Sequence, residues 1–275
     1  MGNKRIWPIW LLTYLAIALP LRADDGVRVM SLNLCADPYL MGFAAPQQIL
    51  ALSPQSRDPA VSAFTAQAAA FPVSNGQIEN IAALQPDLVV VSSYSDPLRN
   101  RLVTQLGIQV LVLDAANSYD AARREIIKLG EAIGRAEQAR AYLAQLDAAL
   151  ADVTTQRRAR PSVLPLQRRN LTAGEGHIMD EVIALAGGRN IGRGQTDTPL
   201  GRISLEQVLA ARADYILLSE TANAPDSRGM EFLTHPALAG AYKTKQRLTL
   251  DNNLLVCAGA STPKAVGLLA AQLHN

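Results

Sequence analysis

The sequence predicts an α/β protein of two doubly wound, mostly parallel-sheet lobes joined by a single long α-helix. Three observations carry this: short continuous apolar runs alternate with helical segments, the alternation gives way to one long amphipathic helix, and it then begins again. In the first half Val27–Leu32 reads as a strand, Pro38–Ala45 as a helical turn and Ile49–Leu52 as a second strand. A helix over Ile78–Leu84, the strand Leu88–Val91, a helix over Pro97–Leu106 and the strand Val110–Leu113 follow. Ser118 caps a helix that runs through Ile126, Ile127 and Leu129 to Gly130. The pattern resumes at Ala136, with Tyr142, Leu143, Leu146, Leu150 and Val153 spaced by threes and fours, and ends at Arg157, Arg158, Arg160 and Pro161. Such a helix, about 22 residues and roughly 33 Å, is long enough to act as a strut between lobes. Its basic end reads as a solvated, dipole-favoured helix terminus. Beyond it come the strand Ser162–Leu166, a helix over Ile178–Ala186 stopped at Gly187-Gly188, a helix over Leu205–Ala211, strands Tyr215–Leu218 and Arg247–Leu250, and a closing helix Thr262–Leu273. The expected division is a leader 1–23, a first lobe 24–133, a linker helix 134–158 and a second lobe 159–275.

With 275 residues, 49% apolar, 18% charged and 5% aromatic, the composition excludes a disordered chain, a collagen-like repeat and a disulfide-dense miniprotein. The formal charge of +2 sits at the front of the chain. Lys4, Arg5 and Arg22 flank an apolar run Ile6–Leu19 without any acid, and Leu21-Arg22-Ala23 precedes Asp24-Asp25. A basic start, an apolar stretch too short to span a bilayer and a small residue at the cut describe a secretory signal peptide. Its removal takes three basic residues from 26, leaving 23 against 24 acidic and a net charge of −1, and with it go Trp7 and Trp10. No case for nucleic acid survives that change. Cys35 follows Ser31-Leu32-Asn33-Leu34, which lacks the small residue a lipoprotein cut requires. The expected product is free in an exported compartment, a bacterial periplasm, and not lipid-anchored.

A faint internal repeat supports two lobes. Glu79-Asn80-Ile81-Ala82-Ala83-Leu84-Gln85-Pro86-Asp87 before Leu88-Val89-Val90 aligns with Glu206-Gln207-Val208-Leu209-Ala210-Ala211-Arg212-Ala213-Asp214 before Tyr215-Ile216-Leu217. Together with Arg28–Leu32, Leu106-Gly107-Ile108, Leu129-Gly130, Ile133-Gly134, Asp180-Glu181 through Gly187-Gly188-Arg189-Asn190, and Ile203-Ser204-Leu205-Glu206, the chain resembles the periplasmic substrate-binding proteins of ABC importers for iron siderophores, heme or cobalamin. The resemblance spans nearly the whole mature chain and rests on the order and spacing of these motifs. It implies two lobes joined by one long helix, no catalysis and no cofactor of the protein's own. Its implied partners are a metal-chelate cargo and an ABC permease, and the carrier is expected to be a monomer. It also implies that Glu79 and Glu206 dock the lobes on permease arginines. The bland alternative is that both carboxylates only favour the helix starts on which they lie, with Ser204 and Gln207 forming a capping box beside one of them.

In open parallel sheets ligands bind beyond the carboxyl ends of the strands. The loops there are Asn33–Tyr39, Ser53–Arg57, Ser92–Tyr94 and Ala115–Asn117 in the first half, and Gln167–Asn170, Gly174–His177, Ser219–Thr221 and Asp251–Cys257 in the second. Tyr39, Arg57, Tyr94, Arg168, Arg169 and His177 are the candidates to touch a chelate: tyrosines by stacking or by binding iron, arginines by pairing with carboxylates, His177 as an axial ligand. Each has an ordinary reading as a solvated or half-packed loop residue, and His177 as a helix start. Phe43 is a further aromatic surface in a mature chain expected to hold no tryptophan. A bare metal ion is disfavoured because His177, His235 and His274 are widely scattered. Export makes a Cys35–Cys257 disulfide the default, one that would tether the two lobes across the cleft; a reduced pair binding a soft metal or thiophilic ligand is the other reading. The expected function is capture of an iron siderophore or heme between the lobes and its delivery to the importer. Cobalamin is the runner-up, and an exported two-lobed enzyme the competing class. Gly187–Gly192 follows a helix, not a strand, so it does not read as a dinucleotide loop, and no nucleophile elbow, zincin motif or phosphate loop is found.

Overall fold

The computed structural model describes residues 26–154, 160–220 and 231–274. The leader Met1–Ala23, with both tryptophans, lies outside them, as do Arg157, Arg158 and Thr221. In the first lobe β1 (Val29–Ser31), α1 (Asp37–Phe43), β2 (Ile49–Ala51), α2 (Thr65–Ala68), α3 (Ile78–Leu84), β3 (Leu88–Ser92), α4 (Pro97–Gln105) and β4 (Gln109–Leu113) build a four-stranded sheet of order β2-β1-β3-β4. All its pairings are parallel. Alternate strand residues face opposite layers: Val29, Leu88 and Val90 pack under α1, α5 (Tyr119–Ala132) and α6 (Ala136–Val153), while Met30, Val89 and Val91 pack with Ile81 and Val103 of α3 and α4. Strands buried on both faces explain why they read as continuous apolar runs.

The second lobe repeats this plan with β5 (Ser162–Leu166), β6 (Leu171–Ala173), α7 (Ile178–Leu185), β7 (Arg189–Asn190), β8 (Leu200–Arg202), α8 (Leu205–Ala211), β9 (Tyr215–Glu220), α9 (Pro236–Ala241), β10 (Arg247–Asp251) and α10 (Thr262–His274). Its parallel sheet has the order β10-β9-β5-β7. Read from the other end and setting aside β6 and β8, that order is second, first, third, fourth, the same as in the first lobe. Val163, Leu217 and Leu248 face one layer, and Leu164, Ile216 and Leu218 the other. The two-residue β7 stands where the sequence suggested only a helix stop and loop after Gly187-Gly188, because Arg189 N–H donates to Pro161 O and joins the short segment to β5. The antiparallel pair β6–β8 and the helix α9 are likewise additions to the sequence reading.

The internal repeat is structural. Gln85 and Arg212 both end their helices in left-handed backbone, with φ 45° and 44°. Asp87 then accepts the backbone N–H of Arg28 at 2.8 Å, and Asp214 that of Ser162 at 2.7 Å. Each carboxylate thus fixes the start of its lobe's central strand, at Arg28 just before β1 and at Ser162 of β5, against the strand it precedes, in matching registers Val29↔Leu88 and Val163↔Tyr215.

The linker helix is α6, 18 residues and about 27 Å, shorter at its end than the expected 22. Ala139 and Leu143 sit in the first lobe's core, while Leu150 and Val153 pack on the second lobe's core. Tyr142 lies on Gly42 of α1, where a Cβ would come 2.4 Å from its ring, and Val153 lies on Gly267 of α10. One helix is therefore a structural member of both lobes. Among the described residues no helix is long and apolar enough to cross a membrane.

Candidate ligand-binding cleft

The carboxyl edges of the two sheets face each other, because the loops that leave them are bonded together. Cys35, in the turn after β1, is joined to Cys257, beyond β10, by a disulfide with Cα atoms 5.4 Å apart. Asn253 Nδ2 donates to Pro59 O at 3.0 Å, and Tyr39 Oη to Ala258 O at 2.8 Å. The tether expected from the two cysteines is present, and the reading as a thiol site for a soft metal falls away.

A cavity of about 230 Å³ opens at the carboxyl edge of the second sheet, lined by Gln167, Arg168, Arg169, Leu171, Ser219 and Asn252. Its wall is a tight loop between β5 and β6, closed by Gln167 N–H donating to Leu171 O at 2.8 Å. At the tip Arg169 and Asn170 both take left-handed backbone, φ 60° and 59°. For a residue with a Cβ this conformation costs roughly 1–2 kcal/mol, and strain of this kind concentrates where a side chain must be aimed. Arg202 of β8 donates to Arg169 O at 3.3 Å and holds the tip from behind. Ser219 Oγ donates to Asn252 Oδ1 at 3.2 Å across the floor. Neither Arg168 nor Arg169 forms an ion pair among the described residues, so two guanidinium groups stand at the mouth with their charge uncompensated.

Of the other candidates, Tyr94 is 83% exposed just beyond β3, with its ring open to solvent at the first lobe's carboxyl edge. Tyr39 is a correction. It is 2% exposed, its hydroxyl is committed to Ala258, and burial pushes its phenol well above the usual tyrosine range, so it is packed between the lobes and not presented to a ligand. Phe43 is buried too, tilted against Tyr142 at 5.9 Å between ring centroids. Arg57 is exposed but spends Nη2 on Ala69 O and Phe71 O, capping the carbonyls after α2. His177 is the N-cap of α7: Nδ1 accepts the Met179 N–H at 3.1 Å, and burial lowers the imidazole pKa. An accepting Nδ1 puts the proton of the neutral ring on Nε2, which is the arrangement of a cap and not of an axial ligand. Among the described residues no group of three or more His, Cys, Asp or Glu is placed to hold a metal ion.

Glu79 and Glu206 are exposed in the first turns of α3 and α8. The capping box beside Glu206 is present, with Gln207 N–H on Ser204 Oγ at 3.2 Å and Ser204 N–H on Gln207 Oε1 at 2.8 Å. Its own backbone amide and the Ser204 hydroxyl hold the Glu206 carboxyl below its usual range. Sequence reasoning named the loops that carry Gln167, Ser219 and Asn252 without singling these residues out, and it missed Arg202. Their only signal was position just beyond strand ends.

Among solved structures the chain is similar to the periplasmic heme-binding protein RhuT from Roseiflexus sp. RS-1, with 22% identity, 90% of this chain and 98% of that one covered and a TM-score of 0.72. It is similar to a periplasmic heme-binding protein from Pseudomonas aeruginosa, with 22% identity, 90% and 92% coverage and a TM-score of 0.68. It is also similar to the periplasmic vitamin B12 binding protein BtuF of Vibrio cholerae, with 23% identity, 90% and 97% coverage and a TM-score of 0.67. No curated protein matches the chain. The model of the periplasmic binding protein family matches residues 45–254, which takes in the first sheet apart from β1, the whole second sheet, the linker helix and the arginine-lined cavity. With its two repeated lobes and their facing carboxyl edges, the chain belongs to the periplasmic binding protein family.

Proposed function

We propose that the chain captures an anionic metal chelate, a heme or a ferric siderophore, between the carboxyl edges of its lobes and delivers it to an ABC importer. The observation that carries the reading is the pair of guanidiniums, Arg168 and Arg169, that line the cavity of about 230 Å³ without an ion pair among the described residues. Bidentate arginine recognises carboxylates, as in heme propionates or carboxylate siderophores, and the exposed Tyr94 at the first lobe's carboxyl edge offers an aromatic face. The heme-binding neighbours support this reading. The B12-binding neighbour keeps cobalamin as the second reading, which needs no anion-pairing arginines on the amide periphery of a corrin. Glu79 and Glu206, exposed at equivalent positions of the repeated lobes, are assigned to permease docking.

Titration of the purified protein with hemin, a ferric siderophore and cyanocobalamin tests the reading. Arg168→Ala with Arg169→Ala is expected to weaken hemin or siderophore binding at least tenfold. Tight cyanocobalamin binding that ignores both substitutions overturns the anionic assignment in favour of a corrin. Charge reversal of Glu79 and Glu206 together is expected to abolish uptake in cells with affinity unchanged; lost affinity would remove them from the docking role.

A further inference from the structure

Three contacts, one covalent and two polar, join the lobes at the carboxyl edges of their sheets. They run from the loops after β1 and β2 and from α1 in the first lobe to the segment just after β10 in the second: Cys35 to Cys257, Tyr39 to Ala258 and Pro59 to Asn253. That segment is also a wall of the cavity, since Asn252 lines it while its neighbour Asn253 reaches the other lobe. Beside these, α5 adds a contact of its own, with Ala122 next to the same Gly259 that Tyr39 meets. Ala122 of α5 is packed in the second lobe's core, and the Tyr119 N–H donates to Glu181 of α7 at 2.7 Å. These helix contacts and the covalent bond together set the angle between the two sheets. Two neutral hydrogen bonds and the apolar packing of Tyr39, Ala63, Ala116 and Ala260 back up the sulfur bridge, and both cysteines are half-exposed.

We propose that the Cys35–Cys257 bond is a clasp that presets the width of the cleft, so that the cavity at Arg168 and Arg169 keeps its affinity only while the bond is intact. The ligand side of this statement rests on the carrier function proposed above, whereas the clasp itself is read on the protein alone. A dithiol reductant opens it in a balanced two-electron step. One thiolate of the reductant attacks a cysteine sulfur, and the other cysteine leaves as a thiolate and takes a proton. The reductant's second thiol then displaces the mixed disulfide, leaving two protein thiols and an oxidised, cyclic reductant. Asn253 and Asn252 follow Cys257 as it is freed, which moves one wall of the cavity away from the arginine tip.

The test compares oxidised protein, dithiol-reduced protein and the Cys35→Ser, Cys257→Ser double variant, with circular dichroism showing that each is folded. Small-angle scattering and amide exchange read the clasp without ligand. The expected result is a larger radius of gyration in the two unbridged forms, with exchange at least tenfold faster over 253–262 and in α1 but unchanged in β3 and β9. Identical scattering and exchange in all three forms overturn the clasp. Titration with hemin is expected to show at least tenfold weaker binding once the bridge is gone, recovered on reoxidation. Equal hemin affinity with the lobes apart overturns the coupling. If oxidised protein binds neither hemin, a ferric siderophore nor cyanocobalamin, it is the carrier reading that fails, while scattering and exchange still decide the clasp.

Discussion

Asp37 is a carboxyl group shut away from water: it is 1% exposed and accepts from Ser53 N–H at 3.2 Å and from Ser53 Oγ at 2.5 Å. Desolvation outweighs these bonds and pushes its pKa up to about 6. An acid whose folded pKa lies above its unfolded one binds its proton more tightly in the fold, so it subtracts stability as pH rises from about 4 to 6. The shift corresponds to about 3 kcal/mol at neutral pH. Asp37→Asn, which keeps one acceptor, is expected to flatten that part of the stability profile and to raise the denaturant midpoint above pH 6. A variant that retains the wild-type slope between pH 4 and 6 would refute the assignment. The residue scale is also where the sequence was least legible. Tyr39 and Tyr94 both follow strands, and nothing local tells which ring closes the gap between lobes and which is left in solvent. Arg57 and Arg168 are equally charged loop residues, yet one meets the free carbonyls after α2 while the other forms no ion pair among the described residues and lines the cavity.

Elements carry the repeat. Helix, left-handed cap, aspartate and strand recur with the same bonds in both lobes, so matched substitutions have matched costs. Asp87→Ala and Asp214→Ala each remove an acceptor from the first amide of a central strand and are expected to lower stability by about 1 kcal/mol apiece, additively. Both carboxyls are held below their usual range by these partners, Asp87 by Arg28 and Asp214 by Ser162. The contribution is therefore complete at neutral pH and fades only in acid, below about pH 4. Denaturation midpoints of the two single variants and the double decide this; a cost confined to one lobe would show that the repeat is not energetically shared. The helices and buried strands were legible because apolar periodicity marks them directly, as over Ile78–Leu84 and Leu88–Val91. The strands β6 and β8 were not, since Leu171–Ala173 and Leu200–Arg202 carry no alternation of their own and exist only by pairing with each other. That pair, absent from the first lobe, is what backs the arginine tip through Arg202.

For the whole molecule the clasp is the longest-range covalent constraint, closing a loop over a sequence separation of 222 residues. On the chain-entropy account such a bridge stabilises by about 5 kcal/mol. The Cys35→Ser, Cys257→Ser variant is therefore expected to unfold at markedly lower denaturant than oxidised protein; coincident transitions would mean that the unfolded chain gains nothing from release. Two lobes, their winding and the helix between them were determined by the sequence itself, because each strand buried on both faces and the helix with one apolar stripe leave a local pattern in the order of residues. What only the tertiary structure decided is which carboxyl-edge side chains remain free. Burial and hydrogen bonding between segments more than a hundred residues apart claim Tyr39, and nearer carbonyls and amides claim Arg57 and His177, while Arg168 and Arg169 line a cavity and Tyr94 stays in solvent. Freedom from a partner depends on every neighbour in space, and no stretch of sequence encodes it alone.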